Sequence, residues 1–158
     1  MRQLTVQADH EQDTERLAEA IASCCFAGCL ITLDGGLGAG KTRLTQAIAR
    51  ALGVRGIVNS PTFTIIKEYE GSRFPLYHMD VYRITEDEAA ELGLDEYFEG
   101  DGVSIVEWAS LIPSLLPPER CEIFIEVTGE HSRLFHLRAV GERYERWLDE
   151  LREKNLGR

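Results

Sequence analysis

Apolar positions in the chain recur with two periods, and the changes between them mark out the elements. Leu4 and Val6 flank Thr5, as in a short strand. Asp13-Thr14 sets a helix start, and Leu17, Ile21 and Cys24 or Cys25 line one face of residues 14–26. Cys29 to Leu33 is an apolar run of buried-strand length. Leu44, Ala47, Ile48, Ala51 and Leu52 return to helical spacing, and Gly53 supplies a stop. Residues 62–69 and 74–82 are rich in β-formers with a turn-like stretch, Glu70 to Arg73, between them, which predicts a hairpin. Glu88 to Leu92 reads as helix, with Gly93 ending it.

Further on, Val103 to Trp108 is an apolar strand that finishes in a carboxylate and an aromatic ring. Pro113, Pro117 and Pro118 separate it from two more strands, Cys121 to Val127 and Ser132 to Val140. Tyr144, Trp147, Leu148 and Leu151 then fall at i, i+3, i+4 and i+7, the packing face of a closing helix. The alternation of strands and helices predicts an α/β fold. It would be a three-layer sandwich around a largely parallel central sheet, with an inserted β-hairpin.

Length and composition change this picture little. The 158 residues suit one domain spanning 1–158, and 44% hydrophobic with 28% charged residues is ordinary for a globular chain. No run reaches membrane-spanning length and Met1 to Leu4 opens no secretory signal, so a cytoplasmic location without a membrane partner is expected. The net charge of −10 speaks against gripping nucleic acid by phosphate neutralisation alone. From Glu86 to Asp101 there are eight acids and no Lys or Arg, a solvated face or a surface for a partner. Cys24, Cys25, Cys29 and Cys121 form no C-x-x-C pair, and buried free thiols are expected.

The candidate chemistry lies between the buried strand and the helix after it. Gly35 to Thr42 fit G-x-x-x-x-G-K-[ST], in the order strand, glycine loop, helix. Glycines let successive backbone N–H groups turn toward phosphate oxygens, and Lys41 brings a point charge to the outer phosphates. The Thr42 hydroxyl suits a magnesium shell, and the helix adds its positive dipole end. Hydrolysis also needs charge stabilisation and an oriented water. Asp80 and Glu107 each end an apolar run, where a carboxylate meets ligands beyond the strand ends. Glu126 ranks below them because Val127 continues its strand, and His78 orients Asp80, lines the site, or is a half-buried structural histidine.

Assembled, the motifs resemble the TsaE family, P-loop ATPases of bacterial tRNA threonylcarbamoyladenosine formation. The resemblance runs from about Thr14 to Arg133. It rests on the glycine loop, Ser60-Pro61-Thr62-Phe63-Thr64, His78-Met79-Asp80-Val81-Tyr82-Arg83, Glu91 to Phe98, and Val106-Glu107-Trp108. It implies that Gly35, Gly38, Ala39, Gly40, Lys41, Thr42 and Arg43 hold ATP, with Thr62 in a nucleotide-sensing segment. Trp108 and Arg133 would lie close to the nucleotide. Lys41, Asp80 and Glu107 would be the catalytic set, and Thr42, Glu107 and Asp80 the Mg2+ site. The implied partners are TsaD and TsaB, reset by ATP binding and hydrolysis between turnovers, with tRNA met only through them.

One position departs from the family. Gly36 stands where members commonly carry an acid, so the loop cradle is expected to survive while a side-chain contact is lost. The residues alone leave two other functions open, a small-molecule kinase and a nucleotide-gated binding module. A GTPase is disfavoured by the lack of an Asn-Lys-x-Asp motif.

Overall fold

The computed structural model describes residues 2–59, 61, 65–154 and 156. Its seven strands are β1 (Arg2–Ala8), β2 (Leu30–Gly35), β3 (Ile66–Tyr69), β4 (Leu76–Asp80), β5 (Val103–Glu107), β6 (Arg120–Val127) and β7 (Arg133–Val140). They form one sheet in the order β1-β7-β6-β2-β5-β4-β3. The four central strands, β6, β2, β5 and β4, run parallel. Antiparallel strands close both sides: β7 and β1 on one, β3 on the other. The architecture is that of a P-loop NTPase-like α/β fold.

Alternation along β2 shows how the sheet is buried on both faces. Ile31 and Leu33 join a core with α1 (Glu11–Cys24), α2 (Lys41–Ala51) and α5 (Glu142–Glu153), through Leu17, Ile21, Leu44, Ile48, Trp147 and Leu148. Leu30 belongs to a second cluster, with Met79, Val106, Leu94, Phe98 and Ile112. That cluster lies under α3 (Glu86–Ala90), α4 (Leu94–Phe98) and two 3-10 turns, Ala109–Leu111 and Pro113–Leu115. Beyond β2 the second face is open, with Phe124 52% exposed, as suits an antiparallel flank covered on one side only.

Three boundaries differ from the sequence expectation for physical reasons. α1 starts at Glu11, because the Asp13 carboxylate accepts from the Asp9 and His10 N–H groups and so satisfies the helix start. The helix expected over 88–92 is α3, which begins earlier on a Thr85–Glu88 capping box. α3 ends at Ala90, short of Gly93, and Gly93 at φ 68° instead leads into α4, which buries Leu94 and Phe98. The hairpin forms as expected but shorter, and the Thr62 to Thr64 part of its first arm lies outside the described residues. Among the described residues no helix is long and apolar enough to cross a membrane.

Candidate functional site

Parallel pairing aligns the carboxyl ends of three strands. Leu33 of β2 lies opposite Glu107 of β5, and Glu107 lies opposite Asp80 of β4. From the end of β2 the chain turns through residues 36–40 into α2, so the glycine loop and both carboxylates come to one edge. Gly40 has φ 106°, which a side chain rarely adopts, and it sets the direction in which α2 leaves the loop. At Gly35 a Cβ would stand 2.8 Å from the Ile125 carbonyl oxygen, so only glycine fits where the loop crosses β6.

Thr42, in the first turn of α2, donates its hydroxyl to Glu107, whose Oε1 and Oε2 are each 3.1 Å away. Glu107 is buried, and its Oε2 also accepts from Nε2 of the fully buried His78 at 2.5 Å. His78 therefore meets Glu107 rather than orienting Asp80, and it is wholly rather than half buried. The cause is a strand diagonal: His78 pairs with Ile105, two residues before Glu107. Asp80 Oδ1 accepts from the Tyr82 N–H at 3.0 Å, which fixes the carboxylate where β4 turns away.

Lys41 is 5% exposed. Its ammonium donates to the Gly35 and Gly36 carbonyls at 2.8 and 2.9 Å and stands 3.9 Å from the centre of the Trp108 ring. Burial pushes the Lys41 pKa below its ordinary value, against the opposing pull of Glu107, Asp34 and Asp80. Trp108 is the sole non-glycine residue with positive φ among the described residues, at 64°. It is held there by an N–H bond to the Leu33 carbonyl and by the Tyr82 ring, with centroids 4.6 Å apart. Arg133 braces the loop from the far side. Its Nε donates to the Ala39 carbonyl at 3.0 Å and its second nitrogen reaches the Gly129 and Ser132 carbonyls.

These groups surround an open cleft of about 730 Å3. Gly38, Ala39, Gly40, Lys41, Thr42, Arg43, Asp80, Glu107, Trp108 and Arg133 all line it. Gly35 is buried and does not line it, and Thr62 is outside the described residues. The wall opposite the carboxylates comes from His10, Glu11 and Thr14 of the β1–α1 junction and Glu130 and His131 of the β6–β7 turn. Sequence reasoning missed this wall, and no motif marks it. For His78 a signal existed, since it is two residues from Asp80 and shares its strand face.

The donor set suits a hard divalent cation carried by phosphates rather than a protein-caged one. A hydroxyl and a carboxylate converge, while among the described residues no group of three or more His, Cys, Asp or Glu is placed to hold a metal. A Cβ at Gly36, Gly38 or Gly40 would meet no atom within 4 Å, so the loop backbone is uncrowded at these positions.

Comparison with known proteins gives a consistent result. The family model described as "Threonylcarbamoyl adenosine biosynthesis protein TsaE" matches residues 8–135. The chain is 51% identical over 151 residues to the tRNA threonylcarbamoyladenosine biosynthesis protein TsaE of Bacillus subtilis, covering 96% of this chain and 95% of that one. It is 41% identical over 106 residues to the TsaE protein of Synechocystis, covering 65% and 68%. The crystal structure of Bacillus subtilis YdiB superposes with a TM-score of 0.85 at 45% identity, covering 98% of this chain and 97% of that one.

Proposed function

The chain belongs to the TsaE family of tRNA threonylcarbamoyladenosine biosynthesis, and on that premise we propose that it is a Mg2+-dependent ATPase acting on a TsaD–TsaB complex. ATP binding and hydrolysis would reset that complex between turnovers, and tRNA would be met only through the partners. The observation that carries this reading is the contact between the Thr42 hydroxyl and the Glu107 carboxylate at the mouth of the glycine loop. A hydroxyl and a strand-end acid are the protein donors a phosphate-bound magnesium requires.

In this reading Gly38 to Lys41 wrap the phosphates with backbone N–H groups, and Arg43 lies at the cleft edge beside them. Lys41 exchanges the Gly35 and Gly36 carbonyls for phosphate oxygens. Thr42 and Glu107 would hold the cation, and Asp80, one strand over from Glu107, would act near the metal or the attacking water. Bound magnesium would neutralise charge developing on the transferred phosphoryl group. Arg133 would keep the Ala39 carbonyl turned away from the anion, and Trp108 would flank it. Thr62 belongs to a segment that senses the nucleotide.

A net charge of −10 fits a protein that leaves tRNA to its partners in the cytoplasm. Turnover by the isolated chain would be slow, because water alignment is completed in the complex. Phosphate release from ATP, measured alone and with TsaD–TsaB, tests this: a rise on adding the partners is expected. Transfer of the phosphoryl group to an added metabolite instead would favour the small-molecule kinase. Partner binding with no dependence on hydrolysis would favour the nucleotide-gated module.

A further inference from the structure

Behind Glu107 lies a group for which the proposed chemistry has so far no use. His78 is completely buried on β4, on the sheet face that also carries Leu76 and Ile105, both members of the larger core. Its Nε2 is 2.5 Å from Glu107 Oε2, and its Nδ1, also buried, has no hydrogen-bond partner among the described residues. Leucine would fill such a slot without the cost of an unpartnered ring nitrogen. What histidine adds there is a single N–H aimed at one carboxylate oxygen.

We infer that His78 is a positioning residue for Glu107, holding the carboxylate in the rotamer that presents it with Thr42 to a phosphate-bound magnesium. This inference rests on the proposed Mg-nucleotide site. Two anchors define the carboxylate: Thr42 at the cleft side, donating to both oxygens, and His78 from the core side, donating to Oε2 alone. Two anchors on opposite sides stop rotation about the last side-chain bond. With Thr42 alone, the carboxylate would be free to swing once that hydroxyl turned to a cation. Partners that orient a metal ligand in this way are worth about 10- to 100-fold in metal affinity.

The test uses the full chain, ADP as probe, and calorimetry with magnesium or with EDTA. His78→Gln puts an amide N–H close to the position of Nε2, whereas His78→Asn, one methylene shorter, does not reach Glu107. The magnesium-dependent gain in ADP affinity should stay within about threefold of wild type in H78Q and fall about tenfold or more in H78N. ADP affinity in EDTA should be the same in all three proteins, because the glycine loop makes no use of His78. A gain kept by H78N, an equal loss in both variants, or ADP binding lost in EDTA would each overturn the inference. A wild-type chain with no magnesium-dependent gain would overturn the functional reading and the inference with it. A wild-type gain that survives in H78N would overturn the inference alone.

Discussion

Lys41 and Trp108 are stacked, the ammonium 3.9 Å from the ring centre, in a chain whose glycine-loop carbonyls hold the same ammonium from the other side. The lysine that the proposed mechanism sends to phosphate is thus parked on an aromatic face and two backbone oxygens. A cation on a half-buried ring is worth about 1 kcal/mol. An incoming triphosphate offers it more, because a charge-assisted bond to phosphate outweighs bonds to neutral carbonyls.

Nucleotide binding should therefore change the emission of Trp108, since a charge leaves its face. The other tryptophan, Trp147, is buried against Phe26 and Tyr144 in the core and should report nothing. Titrating ATP with magnesium should alter the fluorescence of the wild-type chain, and Trp108→Phe should abolish the change. A signal that persists in W108F would place the motion elsewhere.

Arg133 ties the glycine loop to the β6–β7 turn through the carbonyls of Ala39, Gly129 and Ser132. Arg133→Ala removes these charge-assisted bonds and frees the loop to sample other conformations. ATP affinity should drop about tenfold, equivalent to about 1.4 kcal/mol, with little change in melting temperature. Equal affinity in calorimetry would show that the brace is idle.

Tyr144 links the closing helix to the strand that feeds the loop, because its hydroxyl oxygen accepts from the buried Leu30 N–H at 2.9 Å. Tyr144→Phe leaves that N–H without a partner at a cost of about 1–3 kcal/mol. For a chain of this size the midpoint of thermal unfolding should fall by on the order of 5 °C. An unchanged midpoint would mean that the N–H finds another acceptor.

The four thiols are free and crowd the region where α1 ends and β2 begins, joined by β6. Burial and the neighbouring Glu150 push Cys24 up to about 11, and burial raises Cys121. Cys25 is also raised, first by its contact with Cys29 and then by burial. Raised values keep Cys24, Cys25 and Cys121 protonated at neutral pH, so a thiol reagent should react slowly with them in the native chain. Labelling of the half-buried Cys24 should accelerate as pH rises toward 11, with full reaction only in guanidinium. Rapid labelling of all four at pH 7 would contradict this packing.

The site was legible in the sequence where local pattern carries chemistry. The glycine loop between an apolar run and a periodic helix, and acids closing the runs at Asp80 and Glu107, lead directly to the cleft. Parallel pairing then does what no single segment reveals, setting Asp80 beside Glu107 and Glu107 beside Leu33. Contacts across the sheet were not legible for that reason. The partner of His78 depends on the register of two strands separated by α3 and α4, and Arg133 reaches Ala39 across 94 positions. α4 escaped because an acidic run hides a five-residue helix whose evidence is only Leu94 and Phe98 on one face.

Repeated tRNA modification is the activity to measure. With TsaD, TsaB, tRNA, threonine, bicarbonate and ATP supplied, the modified adenosines formed per TsaD–TsaB complex are counted with the wild-type chain, with Glu107→Ala and with no added chain. Many cycles are predicted with the wild type, and a halt after about one cycle with E107A, which would keep the cradle but lose the metal acid. Equal cycling in all three reactions would contradict it.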